Sequence, residues 1–173
     1  MTRLPDNYEF KENTGTSNYL KITEDPQEFR ILTSPVIWWE YFRDEWWKTL
    51  PVRQKWEFEW IPSDSKNWEK PKEFWAFAIW NHTLGKVQVA EITQQTIKKE
   101  ILKYAQDDEN WGDPKKYDLR ISKTGKGKET KYTVSALPKS KFESDTDEKW
   151  AFELAKWINL DALFDGSDPF KPF

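Results

Sequence analysis

Apolar and polar positions alternate over several short stretches of the 173-residue chain, and that period marks strands. Residues 19–22 and 28–32 read as two short strands around the turn Asp25-Pro26, and Ser34-Pro35 punctuates the chain after them. Residues 36–42 then form a strongly apolar strand with Trp38, Trp39, Tyr41 and Phe42. Over 55–61 the pattern alternates cleanly, with Trp56, Phe58 and Trp60 on one face and Lys55, Glu57 and Glu59 on the other. Residues 62–72 are a polar loop. Residues 74–81 are apolar on both faces, and His82-Thr83-Leu84-Gly85 supplies a hairpin turn into a returning strand over 86–92. Thr93 is placed to cap a helix whose apolar positions are Ile97, Ile101, Tyr104 and Ala105. After turn chemistry at Trp111-Gly112-Asp113-Pro114, alternation resumes over 117–123 and 130–137, separated by a loop with Gly125 and Gly127.

A long bent strand, a hairpin, one helix and a second hairpin follow one another in the order of the OB-fold. The expected class is therefore all-β: a Greek-key barrel over 19–142 with one internal helix, extended by an aromatic ribbon near 55–61. Residues 1–18 are polar and read as a mobile arm. Residues 143–173 change character. Asp145 or Thr146 is placed to cap a helix carrying Trp150, Leu154, Trp157 and Ile158, and an acidic tail follows, closed by Asp168-Pro169-Phe170-Lys171-Pro172-Phe173. Its prolines bar a regular helix there.

Composition narrows the chemistry. Aromatics make up 17% of the chain, with 12 Trp, so they must supply much of the core, and disorder throughout is excluded. No apolar run approaches the ~18 residues of a membrane span, and the first 20 residues hold no apolar core of a secretion signal. With no cysteine and His82 as the single histidine, thiolate or multi-histidine metal sites and cysteine nucleophiles are out of reach. The arithmetic points to a cytoplasmic binder with no cofactor rather than to an enzyme. Gly125-Lys126-Gly127-Lys128 is no phosphate loop, because its spacing is wrong and a strand follows. Glu57 and Glu59 read as a solvated strand face rather than as a glycosidase pair.

Charge is uneven. Residues 114–141 hold nine Lys or Arg against Asp118 and Glu129, a net +7, whereas 143–173 hold eight acidic residues against three lysines, a net −5. A basic block beside aromatic strands suits an anionic ligand with flat groups. The face of 74–80 that carries Trp75 and Phe77 is expected to look outward, because the paired Gln88 is a poor barrel-interior residue. Trp39, Tyr41, Trp75 and Phe77 are the candidate stacking residues. Arg53, Lys55, Lys72, Arg120, Lys123, Lys126, Lys128 and Lys131 are the candidate phosphate contacts.

Glu28-Phe29-Arg30-Ile31-Leu32 through Phe42, and Pro71-Lys72-Glu73-Phe74-Trp75-Ala76-Phe77 through Asn81, resemble the first two strands of bacteriophage single-stranded DNA-binding proteins. Val89-Ala90-Glu91-Ile92-Thr93-Gln94, Trp111-Gly112-Asp113-Pro114 with 117–123, and Thr130-Lys131-Tyr132-Thr133-Val134 resemble their later elements. The resemblance spans about residues 19–142. It implies an OB-fold that coats single-stranded DNA without sequence preference during replication and recombination, in the cytoplasm of the host cell. It also gives the tail a role, since bacterial counterparts recruit replication enzymes through an acidic end closed by Pro-Phe. By that comparison Asp165, Asp168, Phe170, Pro172 and Phe173 would dock partner proteins, or the tail would occupy the DNA groove until DNA displaces it; Lys171 departs from its acidity. The resemblance leaves room for a homo-oligomer. A Trp-rich carbohydrate-binding module and a protein–protein adaptor using the Trp150–Ile158 stretch are the rival readings.

Overall fold

The computed structural model describes residues 17–171. The expected arm over 1–18 falls outside them except for Ser17 and Asn18, and so do Pro172 and Phe173.

The chain is mostly β, as its alternation requires. Seven strands form one antiparallel sheet: β1 (Gln27–Ile31), β2 (Val36–Glu45), β3 (Lys48–Gln54), β4 (Lys72–Asn81), β5 (Lys86–Ile92), β6 (Asp118–Thr124) and β7 (Lys131–Leu137). Their order is β3-β2-β4-β1-β6-β7, with β5 on the other edge of β4. Helices α1 (Gln95–Ala105) and α2 (Asp145–Ala155) flank the sheet.

The bent strand of the sequence reading is β1 plus β2. Its inner half pairs with the end of β4, Phe29 opposite Asn81, and its outer half with the start of β4, Val36 opposite Ala76. At the bend between them the Leu32 N–H donates to the Ala78 carbonyl and the Thr33 Oγ1 accepts from the Ala78 N–H, so β4 keeps its backbone partners where the strand turns away.

Closure of the barrel is not seen: among the described residues no ladder joins β5 to β7. The edge of β5 is taken instead by the segment after Ser17. The Val89 N–H donates to the Asn18 carbonyl and the Leu20 N–H donates to the Val89 carbonyl. Only Tyr19 of the expected 19–22 strand makes a bridge, parallel to Val89. Leu20 and Ile22 pack into the gap against the core.

Three element assignments shift. The strand expected over 55–61 does not form; β3 lies earlier, at Lys48–Gln54, and 55–61 is irregular. β3 contains Pro51 opposite Phe42, which an edge strand tolerates because one of its sides needs no donor. α1 starts after Gln94 rather than Thr93 and has no side-chain cap. α2 is capped by Ser144, whose Oγ accepts from the Asp147 N–H, with Asp145, Asp147 and Glu148 in the first turn on the favourable end of the helix dipole.

Both faces of β4 are covered. Trp75, Phe77 and Ile79 face α1, where Ile97 and Ile101 join Phe29, Leu119, Ile121 and Val134. Phe74 and Ala76 face the C-terminal segment with Trp38, Val89 and Leu163, while Ala78 faces Ala151 and Ala155 of α2. Gln88 does lie on the side of Ile79, as the pairing predicts, but it is buried and satisfied: its amide donates to the Ser17 carbonyl at 2.7 Å and its oxygen accepts from Asn81 at 2.8 Å. Lys98 of α1 is also buried and donates to the Glu73 carbonyl at 2.6 Å, tying the helix to β4.

α2 is fastened by a buried ionic cluster. Arg30 is fully buried and donates to Asp118 at 2.7 Å, to Glu148 of α2 at 2.7 Å and to Ser140 at 3.2 Å. His82 Nε2 lies 3.0 Å from the same Asp118 oxygen, and its ring packs edge-on against Phe142. Burial alone would raise the Asp118 carboxyl, but bonds from His82, the Lys141 N–H and Arg30 outweigh it and hold the carboxyl below its ordinary value. A depressed carboxyl contributes stability above its unfolded value of 3.8 and loses it as pH falls through the lower folded value. Arg30→Met removes the ion-pair partner of the buried Asp118 and should cost about 3–5 kcal/mol. Urea denaturation at neutral pH measures this, and a cost below about 1 kcal/mol would refute the structural role given to Arg30.

Candidate nucleic-acid interface

Of the four expected stacking residues, Trp39 alone meets open space. Trp75 and Phe77 are 8% and 2% exposed and belong to the core under α1, which corrects the outward orientation expected of them. Tyr41 is buried as well. Its hydroxyl donates to Asp64 at 3.0 Å and its ring meets Phe58 edge-on at 5.3 Å; burial first, then the bond to Asp64, raises its pKa. Trp39 is half-buried at the root of the β2–β3 ribbon and lines a cleft of about 550 Å³.

That cleft also holds Lys70, Lys72, Glu57, Glu73 and Tyr132, and it borders the start of α1 at Thr93–Gln95. A second hollow of about 310 Å³ shares Trp39, Glu57, Lys70 and Pro71 and is walled by Phe58 and Trp60. Lys70 and Lys72 are exposed and form no ion pair among the described residues. Exposed indoles lie on the turn before β3 and on the loop after it. Trp56, Trp60 and Trp68 stand on the loop after β3, and Trp46 and Trp47 form the ribbon tip. Trp is ordinarily well buried, so five exposed indoles on β3 and its flanking loops are a departure.

The expected cations divide. Lys55 and Lys72 border this lobe and are exposed. Arg53 is sequestered, which corrects its expected place in an open groove. Its side chain is 7% exposed, pairs with Glu40 at 3.1 Å and Glu91 at 3.7 Å, lies over the Phe74 ring at 4.5 Å, and donates to the Leu163 carbonyl of the tail. Arg120 is exposed but pairs with Glu28 at 2.6 Å, and this bond foremost lowers the Glu28 carboxyl. Lys123, Lys126, Lys128 and Lys131 belong to the β6–β7 hairpin and its loop. None forms an ion pair among the described residues. Gly125 permits that loop's fold: at φ +76° a Cβ there would sit 2.4 Å from the Glu129 carbonyl oxygen.

The tail is docked on its own sheet. A 3-10 turn over Leu160–Asp165 seats Leu163 beside Trp38 and Phe74, and Phe164 meets Trp38 edge-on at 5.3 Å. Phe170 packs edge-on against Tyr19 at 6.2 Å. Asp165 and Asp168 are exposed and accept from nearby backbone N–H groups, of Ser167 and Phe170.

Lys70, Tyr132 and the exposed indoles were not among the sequence candidates. The alternation over 55–61 places Trp56 and Trp60 on a strand face, and that pattern hides their exposure on a loop. Among the described residues no cluster of metal-ligating side chains occurs and no helix is long and apolar enough to cross a membrane. No family model, curated protein or solved structure matches the chain.

If the tail is an integral layer, Leu163→Ala should cost about 2–5 kcal/mol in urea denaturation. A cost near zero would mean that the tail is dispensable to the fold.

Proposed function

We propose that the protein is a non-catalytic, sequence-tolerant single-stranded DNA-binding protein, acting in phage replication or recombination. The observation that carries this reading is a cleft that joins the half-buried Trp39 to unpaired Lys70 and Lys72, with Trp60 on the adjoining hollow and further exposed indoles on the same loop. Bases offer flat faces to indoles, each stack contributing roughly 1–3 kcal/mol whatever the base, and phosphates need cations within reach. Trp39 and Tyr132 in the cleft, Trp60 in the adjoining hollow, and Trp56 and Trp68 exposed on the same loop supply the stacking surface. Lys55, Lys70 and Lys72 supply the phosphate contacts. The lysines of the β6–β7 loop extend the basic track.

The strand succession supports an OB-type reading of the sheet, with β1–β2 as the bent first strand, β4–β5 and β6–β7 as the hairpins and α1 between them. In that reading the segment after Ser17 takes the place of barrel closure. The tail keeps a partner-docking role through Asp165 and Asp168, which remain exposed. Trp150 and Trp157 are exposed along and just beyond α2 and favour a second, protein-binding role for that helix.

Titration with oligo-dT at two salt concentrations, read by quenching of Trp emission, tests the proposal. Binding should weaken as salt rises, and Lys70→Ala with Lys72→Ala should lower the salt slope by about 0.7 per lysine. Quenching by a soluble polysaccharide with none by oligo-dT at low salt would overturn the reading in favour of a carbohydrate-binding module.

A further inference from the structure

Stacking and phosphate contact account for the indoles and lysines of the cleft but not for its carboxylates. Glu57 and Glu73 both line it, beside Trp39, Lys70 and Lys72. A carboxylate in a groove that takes a polyanion repels the phosphates the groove has to hold, unless a part of the ligand other than phosphate lies against it.

The two acids differ in what they have left to offer. Glu73 is engaged by the fold: its Oε1 accepts from the Trp75 indole N–H at 2.9 Å and from the buried Lys98 at 3.3 Å. Glu57 is exposed, and among the described residues it accepts no hydrogen bond and forms no ion pair. It lines both the cleft of about 550 Å³ and the adjoining hollow of about 310 Å³, and so do Trp39 and Lys70. Glu59 borders only the smaller hollow. Lys70 shares these walls with Glu57 and does not pair with it, so each keeps its charge available to a ligand. Gln94 adds a donor to the cleft: its Oε1 accepts from the Thr93 N–H at 3.2 Å, and its amide N–H groups have no partner among the described residues.

An ionised carboxylate offers two acceptor oxygens side by side and no donor. Guanine alone of the four DNA bases presents two adjacent donors, N1–H and N2–H, on its Watson–Crick edge. Adenine and cytosine present one amino group beside a ring acceptor, and thymine N3–H lies between two carbonyls. Each of those three sets an acceptor against a carboxylate oxygen, and base edges are read by such matches and mismatches.

We propose that Glu57 makes the cleft a guanine subsite. Guanine stacks on Trp39 and gives N1–H and N2–H to the Glu57 carboxylate, the Gln94 amide meets O6, and Lys70 and Lys72 hold the flanking phosphates. The inference rests on the single-strand reading and adds to it one base-selective position in an otherwise tolerant track.

Competition against fluorescein-labelled oligo-dT at low salt, read by anisotropy, tests it. The competitors are unlabelled oligo-dT and the same strand with one central dG, dA, dC or deoxyinosine; inosine keeps N1–H and lacks the N2 amino group. Wild type should hold the dG strand about tenfold more tightly than oligo-dT, the discrimination of one bidentate base contact, and the other three strands should fall well short of that. Glu57→Gln places an amide N–H where an acceptor oxygen stood. It should bring the dG strand to the level of oligo-dT without weakening oligo-dT itself, and the fold does not depend on this exposed, unbonded side chain. The subsite is overturned if wild type holds the dG and dT strands alike, if the dA, dC or inosine strand matches the dG strand, or if Glu57→Gln keeps the preference. Binding of none of the strands at low salt would instead remove the single-strand reading, and the subsite with it.

Discussion

A strand that is apolar on both faces has to be covered twice, and β4 imposes that demand on everything else. Phe74, Ala76 and Ala78 on one side and Trp75, Phe77 and Ile79 on the other are all withdrawn from solvent. α1 and the β1–β6–β7 side of the sheet close over one set, and α2 with the tail closes over the other. A sheet buried on both faces leaves no room for a binding platform in its centre. The exposed aromatic side chains are thereby displaced outward, to the ribbon and the loop after β3.

The second cover explains the polar groups that the core admits. α2 offers little apolar surface, with Ala151 and Ala155 as its buried positions, so its attachment leans on the Arg30–Asp118–Glu148 cluster. Such a cluster is fragile in one direction, since Arg30 or Asp118 left alone is a buried charge. The same logic applies at Lys98, which is accepted under α1 because the Glu73 carbonyl and carboxylate satisfy it. At Gln88 the amide finds the backbone of the incoming segment after Ser17, and the segment in turn covers the edge of β5.

Arg53 shows how a cation changes meaning with its surroundings. In an open groove it would meet phosphate. Against Phe74, Glu40 and the Leu163 carbonyl it is a clamp on the tail, whereas Lys70, Lys72, Lys123, Lys126 and Lys128 form no ion pair among the described residues. The ribbon's tip carries the opposite arrangement: Trp46 and Trp47 have no second layer to cover them.

Local pattern determined the elements. Alternation with period two, turns at Gly and Pro, and the Ile97–Ile101 spacing marked six of the seven strands and both helices to within a few residues, since each depends on neighbours along the chain. β3 escaped because Pro51 argues against an interior strand, and edge position, which excuses it, is a property of the sheet. Which face of β4 meets which layer, and therefore that Trp75, Phe77 and Arg53 are interior while Trp46, Trp60 and Trp68 are not, was decided by tertiary packing alone. A period-two pattern is the same whichever layer covers a strand. The docking of α1 on one face and of α2 with the tail on the other breaks that symmetry.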